Sequence, residues 1–302
     1  MISRTVLGHL AALATIQVWG TTFVSTKVLL RDFAPLEILF FRFLVGYVTL
    51  LLIRPRFPGI RKLREEALFM AAGLCGVTLY FLLENIALTC TFASNVGVII
   101  CLAPFFTAML ACLFLRGERL RPRFFAGLLV ALAGVALIAF NGSAVLRLNP
   151  LGDMLAALAA LIWAAYSILM RRIGELGADT VLCTRRVFFY GLLFMLPALP
   201  LLGFEWKPDR LTELPNLLNL LYLGFGASAI CFVAWNWTVR VLGAVRTSAY
   251  IYLVPVVTVV SSAVILHERL TGLAVIGTAL TLIGLLVSEG RVPLRGPGRS
   301  AG

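Results

Sequence analysis

Charge is rare in this chain, and histidine and acidic residues are scarcer still. Of 302 residues only 2 are His and 14 are Asp or Glu, and all charged types together make 13%. An enzyme working inside a membrane needs paired carboxylates, a His-Glu zinc motif or a serine–histidine pair. Here His9 and His267 fall at the ends of apolar runs and no acidic pair lies mid-run, so an intramembrane enzyme is only a distant alternative. A glycine-rich loop ending in Lys-Ser or Lys-Thr is missing, which argues against direct use of ATP. The six cysteines (Cys75, Cys90, Cys101, Cys112, Cys183, Cys231) lack paired or metal-type spacing and read as small packing residues. No cofactor and no metal is expected.

What the chain has in abundance is apolar sequence, 61% of it, with a mean hydropathy of +0.98. A helix needs about 20 apolar residues to cross a bilayer. Ten such runs occur, at about 6–29, 35–53, 67–88, 94–115, 124–141, 151–171, 181–203, 216–238, 247–266 and 272–290. They are called spans 1 to 10 below. The first is too long for a typical signal-peptide core and is expected to remain as a span. The runs do not alternate as the strands of a barrel would.

The net charge of +12 follows the connections between spans. If the N-terminus is cytoplasmic, 19 of the 26 basic residues face the cytoplasm and 5 face outward, with Lys27 and Arg42 inside spans. That is a positive-inside pattern in a cytoplasmic (inner) membrane with both termini cytoplasmic, and it removes any need for a nucleic-acid partner. The tail 291–302, rich in Pro, Gly and Arg, is expected to lie near anionic lipid.

The chain also repeats itself. Glu118, Gly127 and Gly134 recur as Glu268, Gly277 and Gly284 at a common offset of 150. Gly8, Trp19 and Arg42 recur as Gly152, Trp163 and Arg186 at an offset of 144, and Gly73, Asn85 and Pro104 recur as Gly224, Asn236 and Pro255 at 151. A unit of five spans is odd, so its second copy must enter the membrane from the opposite face. The expected fold is an all-α integral membrane protein of ten transmembrane helices, built as two inverted five-helix repeats around a central cavity. The expected division is 1–146 for the first repeat, 147–290 for the second, and 291–302 for a basic tail.

Trp19-Gly20, Phe23-Val24, Lys27, Pro35 and Arg42-Phe43, followed by Pro104, Gly117-Glu118-Arg119-Leu120, Gly127 and Gly134, resemble the drug/metabolite transporter superfamily and its ten-helix EamA-type exporters. The likeness covers nearly the whole chain. The aromatic-rich middle is similar to the aromatic amino acid and paraquat exporter subgroup. In the second copy Ala164 replaces the glycine after tryptophan, and Asp179 stands at the proline position. The resemblance implies a secondary transporter that exports small amphipathic metabolites, above all amino acids with aromatic or bulky apolar side chains, and toxic compounds. Alternating access between the two halves would carry the cargo. A carrier of anionic cargo such as nucleotide-sugars or phosphate esters, held by Lys27, Arg42 and Arg186, is the alternative.

Candidate residues follow from depth. Trp19 and Trp163 lie mid-span and are equivalent by the repeat, and an indole N–H at that depth seeks a partner or a wet cavity. With Gln17, Tyr80, Tyr166, Tyr250 and Tyr252 they are read as the cargo site. Trp206, Trp235 and Trp237, nearer span ends, read as interfacial anchors. Ionisable residues within a membrane are functional by default. Lys27, Arg42 and Glu84, with Asn85, are read as a gate or ion pair, with Arg42 expected to pair with Glu84. Glu37, at the entrance of span 2, reads as solvated. Pro104 and Pro255 are read as mid-helix hinges. The Glu118 and Glu268 turns read as helix caps. The small residues Gly127, Ala131, Gly134, Gly277, Thr281 and Gly284 form either an internal seam or a homodimer face, so the chain is expected as a monomer or homodimer.

Overall fold

The computed structural model describes residues 3–56, 59, 62–90, 96, 99–115, 122–139, 150–201, 204–205, 207–257 and 272–288; the side chains of 23, 24, 27, 88, 89, 138, 139 and 274 fall outside that set. The turns at Glu118 and Glu268, Trp206, the tail 291–302 and the Lys27 side chain therefore lie outside the described residues. Every described element is helical, and each of the ten apolar runs falls wholly or partly on helix. Four helices, Pro35–Ile53, Leu63–Ala87, Pro150–Glu175 and Leu214–Leu242, are long and apolar enough by themselves to cross a membrane.

Span 1 is α1 (Arg4–Leu29), started by Ser3, whose hydroxyl accepts from the Val6 amide at 3.2 Å. Span 2 is α2 (Pro35–Ile53) and opens on its proline, which lacks the amide that a first helical turn leaves unsatisfied. The matching helix in the second half, Thr180–Met195 (span 7), reaches the same start by other chemistry. Asp179 caps it, accepting from the Val181 and Leu182 amides at 2.9 and 3.2 Å. The proline-for-aspartate departure in the repeat is thus a swap of two helix starters.

Contacts at the helix ends fix direction. Gly8, near the start of α1, packs on Leu242 at the end of span 8, and Arg54, just past α2, pairs with Asp179. These ends share one face, called proximal. Phe33 lies under the Arg210 guanidinium at the other face, called distal. Span 1 consequently runs proximal to distal, whereas its counterpart Pro150–Glu175 (span 6) ends proximally, where Arg171 donates to the Arg240 carbonyl at 2.8 Å. The second half is the first turned over. Packing obeys the same exchange: span 1 lies along span 8 as span 3 lies along span 6, span 2 packs on span 8 as span 7 does on span 3, and spans 5 and 10 pair with each other.

Spans 5 (Pro122–Ala139) and 10 (Gly272–Ser288) meet through their glycines. A Cβ on Gly127 would lie 2.6 Å from the Gly284 carbonyl oxygen, and one on Gly134 would lie 2.5 Å from that of Gly277. The small-residue stripes are therefore an intramolecular seam. Lipid tails are as apolar as leucine, so such close packing, and not hydrophobic burial, holds two membrane helices together.

Spans 3 and 8 share a second irregularity. Span 3 runs Leu63–Gly73, a π-helical stretch Leu74–Leu79, then Tyr80–Cys90; span 8 runs Leu214–Leu221, a π-helical stretch Tyr222–Ile230, then Cys231–Leu242. Spans 4 and 9 break as well: turn residues 101–102 precede Ala103–Phe114, and a 3₁₀ turn Tyr250–Tyr252 follows Ala244–Ala249. Pro104 comes two residues after the last turn residue of its break, and Pro255 three residues after the last residue of the 3₁₀ turn. Neither proline bends a continuous helix as expected; each sits in the first turn of a new segment, where its missing amide costs nothing.

Candidate functional site

The helix irregularities surround a central cavity of about 970 Å³, its open mouth included. Each helix presents one face to it. Span 1 gives Trp19, Thr22 and Thr26, span 2 gives Ile38, Leu39 and Arg42, and span 3 gives Tyr80, Phe81, Glu84 and Asn85, all at spacings of one, three or four residues. The breaks in spans 4 and 9 contribute Ile100, Cys101, Ile251 and Val254, and span 6 contributes Trp163. From the tryptophans at mid-helix the lining climbs to Thr26 and Asn85 near the distal ends.

The wall is aromatic. Trp163 meets Trp19 edge-on with ring centroids 5.5 Å apart, and it lies 4.8 Å from Tyr80. Behind them Trp235 lies 5.0 Å from Trp19, and Phe232 5.6 Å from it. The two repeat-related tryptophans differ in one respect. Trp19 donates its indole N–H to the Ala227 carbonyl at 3.0 Å, an acceptor within the π-helical stretch of span 8. Trp163, 4% exposed, has a buried indole nitrogen with no acceptor among the described residues.

Two opposite charges share this cavity, both buried. Arg42 donates through Nε to Ser228 Oγ at 3.1 Å, and its guanidinium lies over the Phe81 ring, 4.6 Å from the centroid. Glu84 accepts a hydrogen bond from the Tyr80 hydroxyl at 3.1 Å. The expected Arg42–Glu84 ion pair is not formed: the guanidinium engages Phe81 and Ser228, and the carboxylate engages Tyr80. Asn85 donates to the Pro35 carbonyl at 3.4 Å, tying span 3 to the start of span 2.

Other expected site residues lie elsewhere. Gln17 is exposed on the outer side of α1. Tyr166 is fully buried behind the cavity, donating to Asn236 at 2.8 Å, and Asn236 in turn donates to Thr184 at 3.0 Å. Tyr250 is hydrogen-bonded to His9 at 2.6 Å, and Tyr252 is buried; neither borders the cavity, although Ile251 between them does. Arg186 is not near Arg42. It pairs with Glu66 at 2.8 Å at the proximal end, and Tyr190 also bonds that carboxylate.

Two surface assignments are overturned. Trp235 is no interfacial anchor: it is fully buried in the aromatic cluster, because α-helical spacing from Cys231 and Phe232 turns it inward. Glu37 is 1% exposed and not solvated. It accepts from the Ala34 and Glu205 amides at 2.7 and 2.9 Å and pairs with Arg210 at 3.1 Å. Arg210 bonds the Asp32 carbonyl as well, so the connection after span 7 folds down on the distal end of span 2. Beside it, the Lys207 ammonium bonded to Glu205 holds that exposed carboxyl below its ordinary range.

Phe81, Ser228, Phe232 and Cys101 were not singled out from sequence. Thr22 and Thr26 carried a signal, since they continue the helical face of Trp19. Ser228 carried none, because its role depends on the π-helical register of span 8.

An all-helical, multi-pass membrane protein of two inverted repeats around a charged and aromatic cavity has the architecture of a membrane carrier. The chain belongs to the EamA-like transporter family, which matches residues 6–140 and again 150–289. It is 30% identical over 288 residues to a protein of Escherichia coli (strain K12) named "Probable amino-acid metabolite efflux pump", covering 92% of this chain and 93% of that one. It is 30% identical over 286 residues to a "Probable terminal-alkyne amino-acid exporter" of Streptantibioticus cattleyicolor, covering 93% of each. A solved crystal structure superposes with a TM-score of 0.75 at 24% identity over 95% of this chain and 97% of that one, a likeness of fold.

Proposed function

We propose that this protein is a secondary exporter of small amphipathic metabolites, chiefly amino acids with aromatic or bulky apolar side chains, and that it works by alternating access. The observation that carries the reading is a cavity whose wall is aromatic and whose charged groups, among the described residues, are one buried cation and one buried anion. An apolar side chain stacks on Trp19, Trp163 and Tyr80 while a polar head meets the charges. The names of the two relatives support export of amino acids or their metabolites.

The anionic-cargo alternative is less well supported. Glu84 stands in the same cavity as Arg42 and would repel a phosphate, and Arg186 is engaged with Glu66 at the other end of the molecule. Basic residues cluster at the proximal face (Arg54, Arg56, Arg171, Arg172, Arg185, Arg186, Arg240), which supports a cytoplasmic assignment for that face and for both termini. On that assignment the cavity reaches toward the outside of the cytoplasmic membrane. Packing of Gly8 on Leu242 and the His9–Tyr250 bond then lie on the cytoplasmic side.

Uptake of a labelled amino-acid panel into proteoliposomes holding the purified protein tests the reading, with empty liposomes as control. Saturable uptake of phenylalanine, competed by other aromatic and bulky apolar amino acids, is expected. Failure to take up any amino acid, with or without a proton gradient, refutes the cargo class.

A further inference from the structure

Arg42 and Glu84 are buried to more than nine-tenths and line one cavity from adjacent spans, yet they are kept from each other. Taking an ion out of water is costly unless a partner of opposite charge and its hydrogen bonds are supplied, so two such groups side by side would ordinarily close into a pair. Here each is restrained by a third residue. Nε of Arg42 is bonded to Ser228, and its plane rests on Phe81, while neither terminal nitrogen, Nη1 or Nη2, has an acceptor among the described residues. Glu84 receives the Tyr80 hydroxyl on Oε1, and Oε2 receives no hydrogen bond from the described residues. Trp163 adds to the same wall an indole N–H without an acceptor among the described residues.

We propose that Arg42 and Glu84 form a zwitterion clamp: the paired Nη groups of Arg42 take the cargo's α-carboxylate, and the free oxygen of Glu84 takes its α-ammonium. The proposal rests on the reading of the cavity as an amino-acid site and sharpens it to the two ends of the amino-acid head. A guanidinium offers a planar fork that matches a carboxylate with two parallel hydrogen bonds, which an ammonium-bearing lysine does not. A cargo with only a carboxylate leaves Glu84 unanswered in a low-dielectric site, and a cargo with only an amine leaves Arg42 so. A zwitterion answers both and adds no net charge to the interior of the membrane. Because Phe81, Ser228 and Tyr80 already hold the two groups in place, no side chain has to be ordered when the head group arrives.

The clamp is tested by competition against labelled phenylalanine uptake, using phenylalanine, phenylalaninamide (ammonium end only) and N-acetylphenylalanine (carboxylate end only). Loss of one charge-assisted contact corresponds to about tenfold or more in affinity. Wild type should therefore prefer phenylalanine to each one-ended analogue by at least about tenfold. Glu84→Gln, which retains the acceptor for Tyr80, should abolish the preference over N-acetylphenylalanine and leave the preference over the amide. Arg42→Gln should do the reverse. The wild-type series stands on its own if that variant does not fold. Equal competition by all three compounds in wild type overturns the clamp while leaving amino-acid transport intact, and so does an equal loss for all three in Glu84→Gln. Wild-type protein that takes up no phenylalanine overturns the clamp and the cargo class together.

Discussion

Replacing Gly127 with alanine tests whether backbone contact between spans 5 and 10 holds this membrane protein together. The added Cβ would lie 2.4 Å from the Ser288 amide nitrogen and 2.6 Å from the Gly284 carbonyl oxygen, against an ordinary contact distance of at least 3.4 Å. Both obstacles are backbone atoms and cannot rotate away, so the helices must part locally by about 1 Å, a gap that forfeits a quarter to a half of each dispersion contact along the seam. Overpacking of this kind costs about 1–3 kcal/mol, set against a gain of up to about 1 kcal/mol from replacing a helical glycine. The balance is a lowered thermal midpoint in detergent, by several degrees at the upper end, and a further fall for Gly127→Leu. Gly272→Ala is the control, because nothing lies within 4 Å of its Cβ position, and it should leave the midpoint unchanged or raise it. Thermal unfolding of the three variants by size-exclusion or thiol-dye readout decides the matter. If Gly127→Ala and Gly272→Ala melt alike, the seam does not govern stability and the packing argument is wrong.

Two further outcomes follow from the cavity and the distal face. Trp19→Phe and Trp163→Phe remove the same volume, but only the first leaves the Ala227 carbonyl without its donor; Trp19→Phe should be the less stable by about 1–2 kcal/mol in thermal unfolding, whereas Trp163→Phe should chiefly raise KM for uptake, and equal midpoints would contradict the assigned bonding. Arg210→Ala should destabilise by about 3 kcal/mol, since it leaves the Glu37 carboxylate buried with only amides for partners, while Lys207→Ala on the exposed connection should leave the unfolding midpoint unchanged.

Membrane class and repeat were legible in the sequence for physical reasons. Glycines recur at fixed offsets because Gly127, Gly134 and Gly284 each sit where a Cβ would strike a backbone, and Gly277 supplies the carbonyl that a Cβ on Gly134 would meet. Trp19, Arg42, Tyr80, Glu84, Asn85 and Trp163 were legible as cavity residues because polar or amphipathic groups at mid-membrane need a reason to be there. Which groups touch was not legible. A lipid-facing surface is as apolar as the core, so hydrophobic periodicity could not tell that Gln17 faces out while Trp235 faces in. Glu37 read as solvated because its partner Arg210 is 173 residues away on a connection without pattern. The π-helical stretches in spans 3 and 8 shift the register of everything beyond them, which placed Ser228 against Arg42 and hid it from a 3.6-residue reading.

The glycine seam also bears on motion. Exchanging the two halves turns the Gly127–Gly284 contact into Gly277–Gly134, and that contact is already present. Such a seam is its own mirror image under the repeat. The proximal contact of Gly8 with Leu242 exchanges instead into a different pair, Gly152 with the chain near residue 91, which lies outside the described residues. Were the two halves to trade shapes, spans 5 and 10 would serve as a stationary axle, because the exchange maps their contacts onto contacts already made.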